Sequence, residues 1–255
     1  MNILISPQAF KGSISAIDVA NHIEKGINKA NPNIITTKIP VADGGDDTLE
    51  TLVSITNGQI YNTKATGPDG IKISTSWGAL GDNKTAVIEM AKISGLALLG
   101  GNIKNPKTYT TYGLGEIIKE CLDLNYSKFI IGIGGSATND GGAGMAQALG
   151  ANLFDNEKKE IKRGSIGLKN LKSINLTNLD HRIKNCEFLV ACDVNNPLYG
   201  INGATFTFGP QKGFDEKDLY EFDKYMKNYG DLIDMNSGYK ISNVPGSGAA
   251  GGLGA

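Results

Sequence analysis

The chain has 255 residues, with 25 Lys and Arg against 26 Asp and Glu and a formal net charge of −1. That balance, with no basic block, excludes recognition through nucleic-acid phosphates, and no apolar run approaches the ~18 residues of a membrane span. A hydrophobic fraction of 40% beside 20% charged residues is the composition of a globular chain. Three cysteines, Cys121, Cys186 and Cys192, include no Cys-x-x-Cys pair and indicate neither a disulfide framework nor a zinc site. The N-terminus carries no basic leader, so a cytoplasmic location is expected.

Asn2–Ile5 reads as a short buried strand. Ser15, with Asp18 three residues on, matches a capping box, and Val19, Ile23, Ile27 and Ala30 recur behind it at helical spacing. Pro32 stops that helix, residues 34–41 form a second strand, and a second helix spans 48–56. Over 59–90 the turn clusters Gly67-Pro68-Asp69-Gly70 and Gly81-Asp82-Asn83 separate alternating runs, which predicts an antiparallel meander. The change of texture near residue 60 divides the chain into 1–60 and 61–255. A helix over 111–122, a buried strand over 128–133, a glycine-rich loop and a helix near 145–149 follow. A buried strand over 187–192 comes next, with Cys192 read as a buried strand cysteine. The helix over 215–233 carries Leu219, Phe222, Met226, Tyr229 and Ile233 as its apolar stripe.

Glycine is 34 of 255 residues, about 13% where about 7% is ordinary. Glycines gather at 134–144 and again at 246–254. Because glycine costs conformational entropy, such clusters imply positive φ or close approach of a ligand to the backbone.

Four strand ends share one form, an apolar run that breaks into glycine, small polar residues and a charged group. They hold Lys11, Asp43, the 134–144 loop with Ser136, Asn139 and Asp140, and Asp193 with Asn195. In open α/β sheets ligands bind beyond the carboxyl ends of strands. If the loops converge, one lysine, three carboxylates and many backbone amides meet, an inventory suited to phosphoryl transfer. The 136–144 loop reads either as a phosphate cradle at a helix N-terminus or as a tight strand–helix turn. Asp43 and Asp193 read as Mg²⁺ ligands, as acceptors of a hydroxyl proton, or as turn and cap residues.

Other signatures fail. There is no P-loop and no Gly-x-Ser-x-Gly elbow. Gly246-x-Gly248-x-x-Gly251 matches the dinucleotide pattern, but no clear strand leads into it and no acidic residue follows at the required distance. A nicotinamide-dependent oxidoreductase therefore rests on that pattern alone.

Taken together, Phe10-Lys11-Gly12-Ser13, Val41-Ala42-Asp43-Gly44-Gly45, the 132–142 segment, Ala191-Cys192-Asp193-Val194-Asn195-Asn196-Pro197, Phe208-Gly209-Pro210-Gln211-Lys212-Gly213 and the 245–252 segment closely resemble the type I glycerate kinases. The matches come in family order over essentially the whole chain. The resemblance implies ATP-dependent, Mg²⁺-assisted phosphorylation of D-glycerate, with 2-phosphoglycerate the usual product. It implies an α/β protein of two domains, a flavodoxin-like parallel-sheet domain built from both chain ends and an inserted mixed α/β domain. Carried over, it makes Lys11, Asp43 and Asp193 catalytic, with Asp43 and Asp193 the candidate Mg²⁺ ligands. The resemblance also implies that Gly44, Gly45, Gly134, Gly135, Ser136, Asn139, Asp140, Asn195, Lys212 and Gly248 contact substrate or nucleotide. The chain departs from the family pattern at Gln8, where an Asp is usual, and at Asp46-Asp47, where Glu-Gly is usual. Family members also continue for a further domain-scale stretch, so a C-terminally truncated chain, and with it a catalytically incomplete ligand-binding fragment, is the alternative expectation.

Overall fold

The computed structural model describes residues 1–10, 13–45, 47–101 and 103–255. The candidate Lys11 lies outside the described residues.

The chain opens with β1 (Asn2–Ile5), α1 (Ala16–Ala30) and β2 (Ile35–Lys38), a parallel strand–helix–strand unit in which Asn2 pairs with Ile35 and Ile5 with Lys38. Ser15 caps α1 as its spacing predicts, its Oγ accepting from the Asp18 amide at 3.0 Å and donating to the Asp18 carboxylate at 2.8 Å. The expected burial of the first strand holds only for Ile5. Leu4 and Ile35 are 62% and 66% exposed, because the pleat sends them to the face that α1 leaves uncovered.

The chain continues through α2 (Thr48–Ile55), β3 (Gln59–Thr66), β4 (Lys72–Ala79), β5 (Thr85–Glu89), α3 (Ala91–Ser94), α4 (Tyr112–Asp123) and β6 (Lys128–Gly132). Next come α5 (Ala143–Ala148), β7 (Asn152–Phe154), β8 (Ser173–Asn175), β9 (Glu187–Ala191), α6 (Ala204–Phe208), α7 (Glu216–Ser237) and the single turn α8 (Ala249–Gly252). Five strands form one mixed sheet in the order β3-β4-β5-β6-β9. The predicted meander is its antiparallel half, with Gln59 opposite Ala79 and Gly78 opposite Val87. The other half is parallel, so Glu89, Gly132 and Ala191 end side by side at one edge. That alignment positions the site.

The main core lies where Trp77, Ile88 and Phe129 of the sheet meet Leu114, Ile117 and Ile118 of α4. On a separate patch Leu49 and Val53 of α2 pack with Val87, so α2 is held by the five-stranded sheet rather than by β1 and β2. The predicted stripe of α7 divides between two clusters. Leu219 and Phe222 join Phe214, whereas Met226 and Tyr229 join Leu153 and Leu168. The strand over 187–192 is less buried than expected. β9 is an edge strand, and Leu189 is 55% exposed.

Candidate active site

The loop after β2 is pressed against the carboxyl ends of β6 and β9. Gly44 adopts φ +89°, and a Cβ there would sit 2.6 Å from the Ala191 Cβ and 2.8 Å from its carbonyl oxygen. The Gly44 carbonyl accepts from the Gly134 amide at 3.2 Å. Backbone thus meets backbone across both loops, an approach that a side chain at 44 would block. This contact carries the exposed carboxylate of Asp43 to the end of the sheet from which Asp193 also emerges. Asp43 Oδ1 accepts from the Gly45 amide at 3.0 Å, and Oδ2 accepts from Gln8 Nε2 at 2.5 Å. The Gln8 departure therefore places a neutral donor on Asp43 where a second carboxylate would repel it.

Asp47, the other departure, occupies φ 67°, ψ 6° just before α2 and makes no side-chain cap hydrogen bond. A non-glycine residue in this left-handed region is strained by roughly 1 kcal/mol, less for Asp than for most. Asp47→Gly is expected to raise stability by about 0.5–1 kcal/mol in urea denaturation. A lower midpoint would show that the Asp47 side chain outweighs its backbone strain.

The 134–144 loop does not offer the helix end that a phosphate cradle requires. The Asp140 carboxylate, fully buried, accepts from Thr111 N at 2.9 Å, Thr111 Oγ1 at 3.1 Å, Gly142 N at 3.2 Å and Gly144 N at 3.3 Å. Thr111 Oγ1 in turn takes the Met145 amide at 2.9 Å. The amides at the start of α5 are thus spent on the protein's own groups. Burial pushes the Asp140 carboxyl above its ordinary value against the pull of these donors. What stays open is the turn before it. Gly135 is exposed, and among the described residues the amides of Gly135 and Ser136 have no protein acceptor.

Lys212 approaches this loop from behind. Its side chain is 1% exposed, and Nζ donates to Ser136 Oγ at 2.8 Å and to the Thr138 carbonyl at 2.6 Å. Asn139, also buried, donates through Nδ2 to Thr205 Oγ1 at 3.0 Å. Asn139, Asp140 and Lys212 therefore stand inside the loop's framework together with the buried Ser136, whereas Gly134 is half-buried and Gly135 exposed.

The C-terminal glycine segment closes the cluster. The Gly248 amide donates to the Asn196 carbonyl at 2.9 Å, and the Gly141 amide donates to the Gly251 carbonyl at 2.9 Å. At Gly251, with φ +70°, a Cβ would lie 2.0 Å from the Thr138 carbonyl. Residues 246–251 follow a 3-10 turn at Ile241–Asn243, not a strand, so the dinucleotide pattern lacks its required context. Its glycines join the 134–144 loop to the 194–197 segment. Between them a cavity of about 260 Å³ is lined by Ile133, Val190, Val194, Asn195, Val244 and Gly246 among others. A larger open depression of about 620 Å³ over β3 and β4 holds Lys64 and Lys92 but neither carboxylate nor glycine loop.

Asn195 lines the smaller cavity, both it and Asp193 are exposed, and among the described residues Asp193 makes no hydrogen bond or ion pair. Cys192 is exposed rather than buried, because β9 ends at Ala191 and the chain turns outward, its Sγ donating to the Val194 carbonyl at 3.3 Å. No group of three or more His, Cys, Asp or Glu able to hold a metal occurs among the described residues. No helix there is long and apolar enough to cross a membrane. Thr111 and Thr205, which fix Asp140 and Asn139, escaped the sequence reading, since each lies at least 29 residues from its partner.

The Glycerate kinase family profile matches residues 3–255. The chain is 47% identical over 255 residues to Glycerate 2-kinase of Escherichia coli (strain K12), covering 100% of this chain and 67% of the relative. It is 47% identical over 254 residues to Glycerate kinase of Bacillus subtilis (strain 168), covering 100% of this chain and 66% of the relative. The fold superposes with a TM-score of 0.94, at 44% identity, on the crystal structure of a protein assigned as glycerate kinase 2 from Salmonella typhimurium LT2, covering 100% of this chain and 68% of that one. The chain thus spans about two thirds of the length of the curated relatives it matches.

Proposed function

The chain belongs to the glycerate kinase family, and on that premise we propose that it transfers the γ-phosphoryl group of ATP to a hydroxyl of D-glycerate, giving 2-phosphoglycerate. The observation that supports this most is the meeting of the 43–45, 134–136 and 193–195 loops at the carboxyl ends of β6 and β9. Phosphoryl transfer asks a protein mainly for positioning and charge neutralisation. Amides at Gly135 and Ser136 without an acceptor among the described residues, a lysine bonded to Ser136 Oγ and the exposed carboxylates of Asp43 and Asp193 suit that task.

In this reading Asp193 takes the hydroxyl proton as the glycerate oxygen bonds to the γ-phosphorus and the bond to the bridging oxygen of ADP breaks. Asp43, held in place by Gln8 and Gly45, is the first candidate to hold Mg²⁺, with Asp193 the second. Mg²⁺ usually binds through one or two carboxylates plus substrate phosphates, so this donor set fits; when bound it neutralises phosphate charge. Gly44 and Gly45 shape the Asp43 loop, and Gly134 shapes the turn. Asn195 lines the cavity, and Asn195 and Gly248 would contact nucleotide or glycerate. Lys11 would add a second cation for phosphate charge.

The same reading takes β1 and β2 as part of a flavodoxin-like domain and the five-stranded sheet as the inserted one. It keeps the division near residue 60, with α2 leaning on the second unit. It also carries the cytoplasmic location. The product identifies the reaction: ³¹P NMR after incubation with Mg-ATP and D-glycerate is expected to show 2-phosphoglycerate. A 3-phosphoglycerate signal would correct the acceptor hydroxyl, and no new phosphoester would overturn the reading.

A further inference from the structure

Lys212 is the only buried lysine among the described residues, and none of those residues neutralises it by contact. Both of its acceptors, Ser136 Oγ and the Thr138 carbonyl, are uncharged. Burying an ammonium without an ion pair is costly, so such groups are normally paired or neutral. The turn that carries its acceptor Ser136 also holds the amides of Gly135 and Ser136, which have no protein acceptor among the described residues. The neighbouring Thr138 Oγ1 and Asn139 Oδ1 are buried without a partner. A buried cation without an ion pair and amide donors without acceptors thus share one loop.

We propose that Lys212 supplies the positive charge of an anion seat on the 134–136 turn, so that binding of a phosphate or carboxylate oxygen there is coupled to protonation of Lys212. The lysine acts through Ser136 and through space; it is a positioning and charging residue, not one that touches the reacting atoms. The identity of the anion, nucleotide phosphate or glycerate carboxylate, rests on the kinase reading above.

The electrostatics around Lys212 agree with this geometry. Burial pulls its ammonium down to about 7 against the opposing pull of Asp140, so near neutrality it is only partly charged. Of the other ionisable groups on elements packed around it, Lys107 and Asp218 pair with each other at 2.9 Å. Tyr229 is held un-ionised by burial and by Asp140, and Asp215 is exposed beside Lys217 at 3.5 Å. An arriving anion favours the charged lysine, so binding draws in a proton. By linkage, affinity for the anion falls as pH rises above neutrality.

The test is calorimetric titration of the intact chain at pH 8 in buffers of different ionisation enthalpy, with Mg-ATP, D-glycerate and inorganic tripolyphosphate as separate probes. The expected result is uptake of most of one proton with at least one probe, and the responding probe tells phosphate from carboxylate. Lys212→Met preserves the volume without the charge and is expected to abolish the uptake and weaken that probe about tenfold at pH 7. Binding without proton uptake by the wild-type chain overturns the proposal whether or not the variant folds, as does equal uptake by Lys212→Met. Failure of all three probes to bind overturns it too. Uptake with tripolyphosphate, with neither Mg-ATP nor D-glycerate binding at all, would keep the anion seat and count against the phosphoryl-transfer reading.

Discussion

Asp140→Ala will cost the fold about 3–5 kcal/mol, the range for stripping one partner from a buried charged network. The reason is local. One fully buried carboxylate ties the start of α4, through Thr111 N and Oγ1, to the start of α5, through Gly142 N and Gly144 N. An alanine leaves those donors enclosed without acceptors, and each buried unpaired donor costs about 1–3 kcal/mol, not fully additively. Against a total stability of about 5–15 kcal/mol that is a large fraction. Asp140→Asn also fails, by about 2–3 kcal/mol, since its NH₂ group confronts donors where an oxygen stood. Guanidinium denaturation followed by circular dichroism measures both. A loss under 1 kcal/mol for the alanine variant would mean that water or a shifted loop replaces the carboxylate.

Asp193→Asn is expected to lower kcat by about 10²–10⁴-fold with little change in stability. Asp193 is exposed and, among the described residues, unbonded, so the fold does not depend on its charge. Surface changes of that kind stay within about 0.5 kcal/mol. Asparagine keeps the shape and one carbonyl-type oxygen but cannot accept the hydroxyl proton. Asp43 is a poorer test of proton transfer, because both its oxygens are engaged, with Gly45 and Gln8, and removing it disturbs the loop. The Mg²⁺ dependence of the variant separates the two roles left to Asp193. Unchanged Mg²⁺ dependence with lost kcat makes it the base, whereas a raised Mg²⁺ requirement makes it a ligand. A loss under threefold, with Mg²⁺ dependence unchanged, removes Asp193 from the mechanism.

Much of the fold was legible because local rules and tertiary packing agree. The Ser15 cap, the turn clusters around Gly70 and Asn83, and the apolar runs of β5 and β6 each imply their element without a distant partner. The glycine cluster at 246–254 also has the physical ground expected of it, since Gly251 sits at positive φ where a side chain would strike backbone. What sequence could not convey was which polar residues turn inward. Lys212 and Asp140 resemble solvent-facing loop residues until the chain brings Ser136 and Thr111 to them across 76 and 29 positions. Apolar runs misled in the opposite direction at β9 and β1. A run such as Phe-Leu-Val-Ala reads as buried, whereas β9 holds the sheet's edge and leaves Leu189 open. Asp47 was recognisable only as a departure; its left-handed backbone gives that departure a physical meaning.

The central claim is glycerate-dependent phosphoryl transfer at the joined loops. ADP release from Mg-ATP by the 255-residue chain, measured with and without D-glycerate, tests it most directly. The account predicts release that requires D-glycerate and stops with EDTA. Release indifferent to glycerate, or none from a chain that calorimetry shows binding both Mg-ATP and D-glycerate, would contradict it.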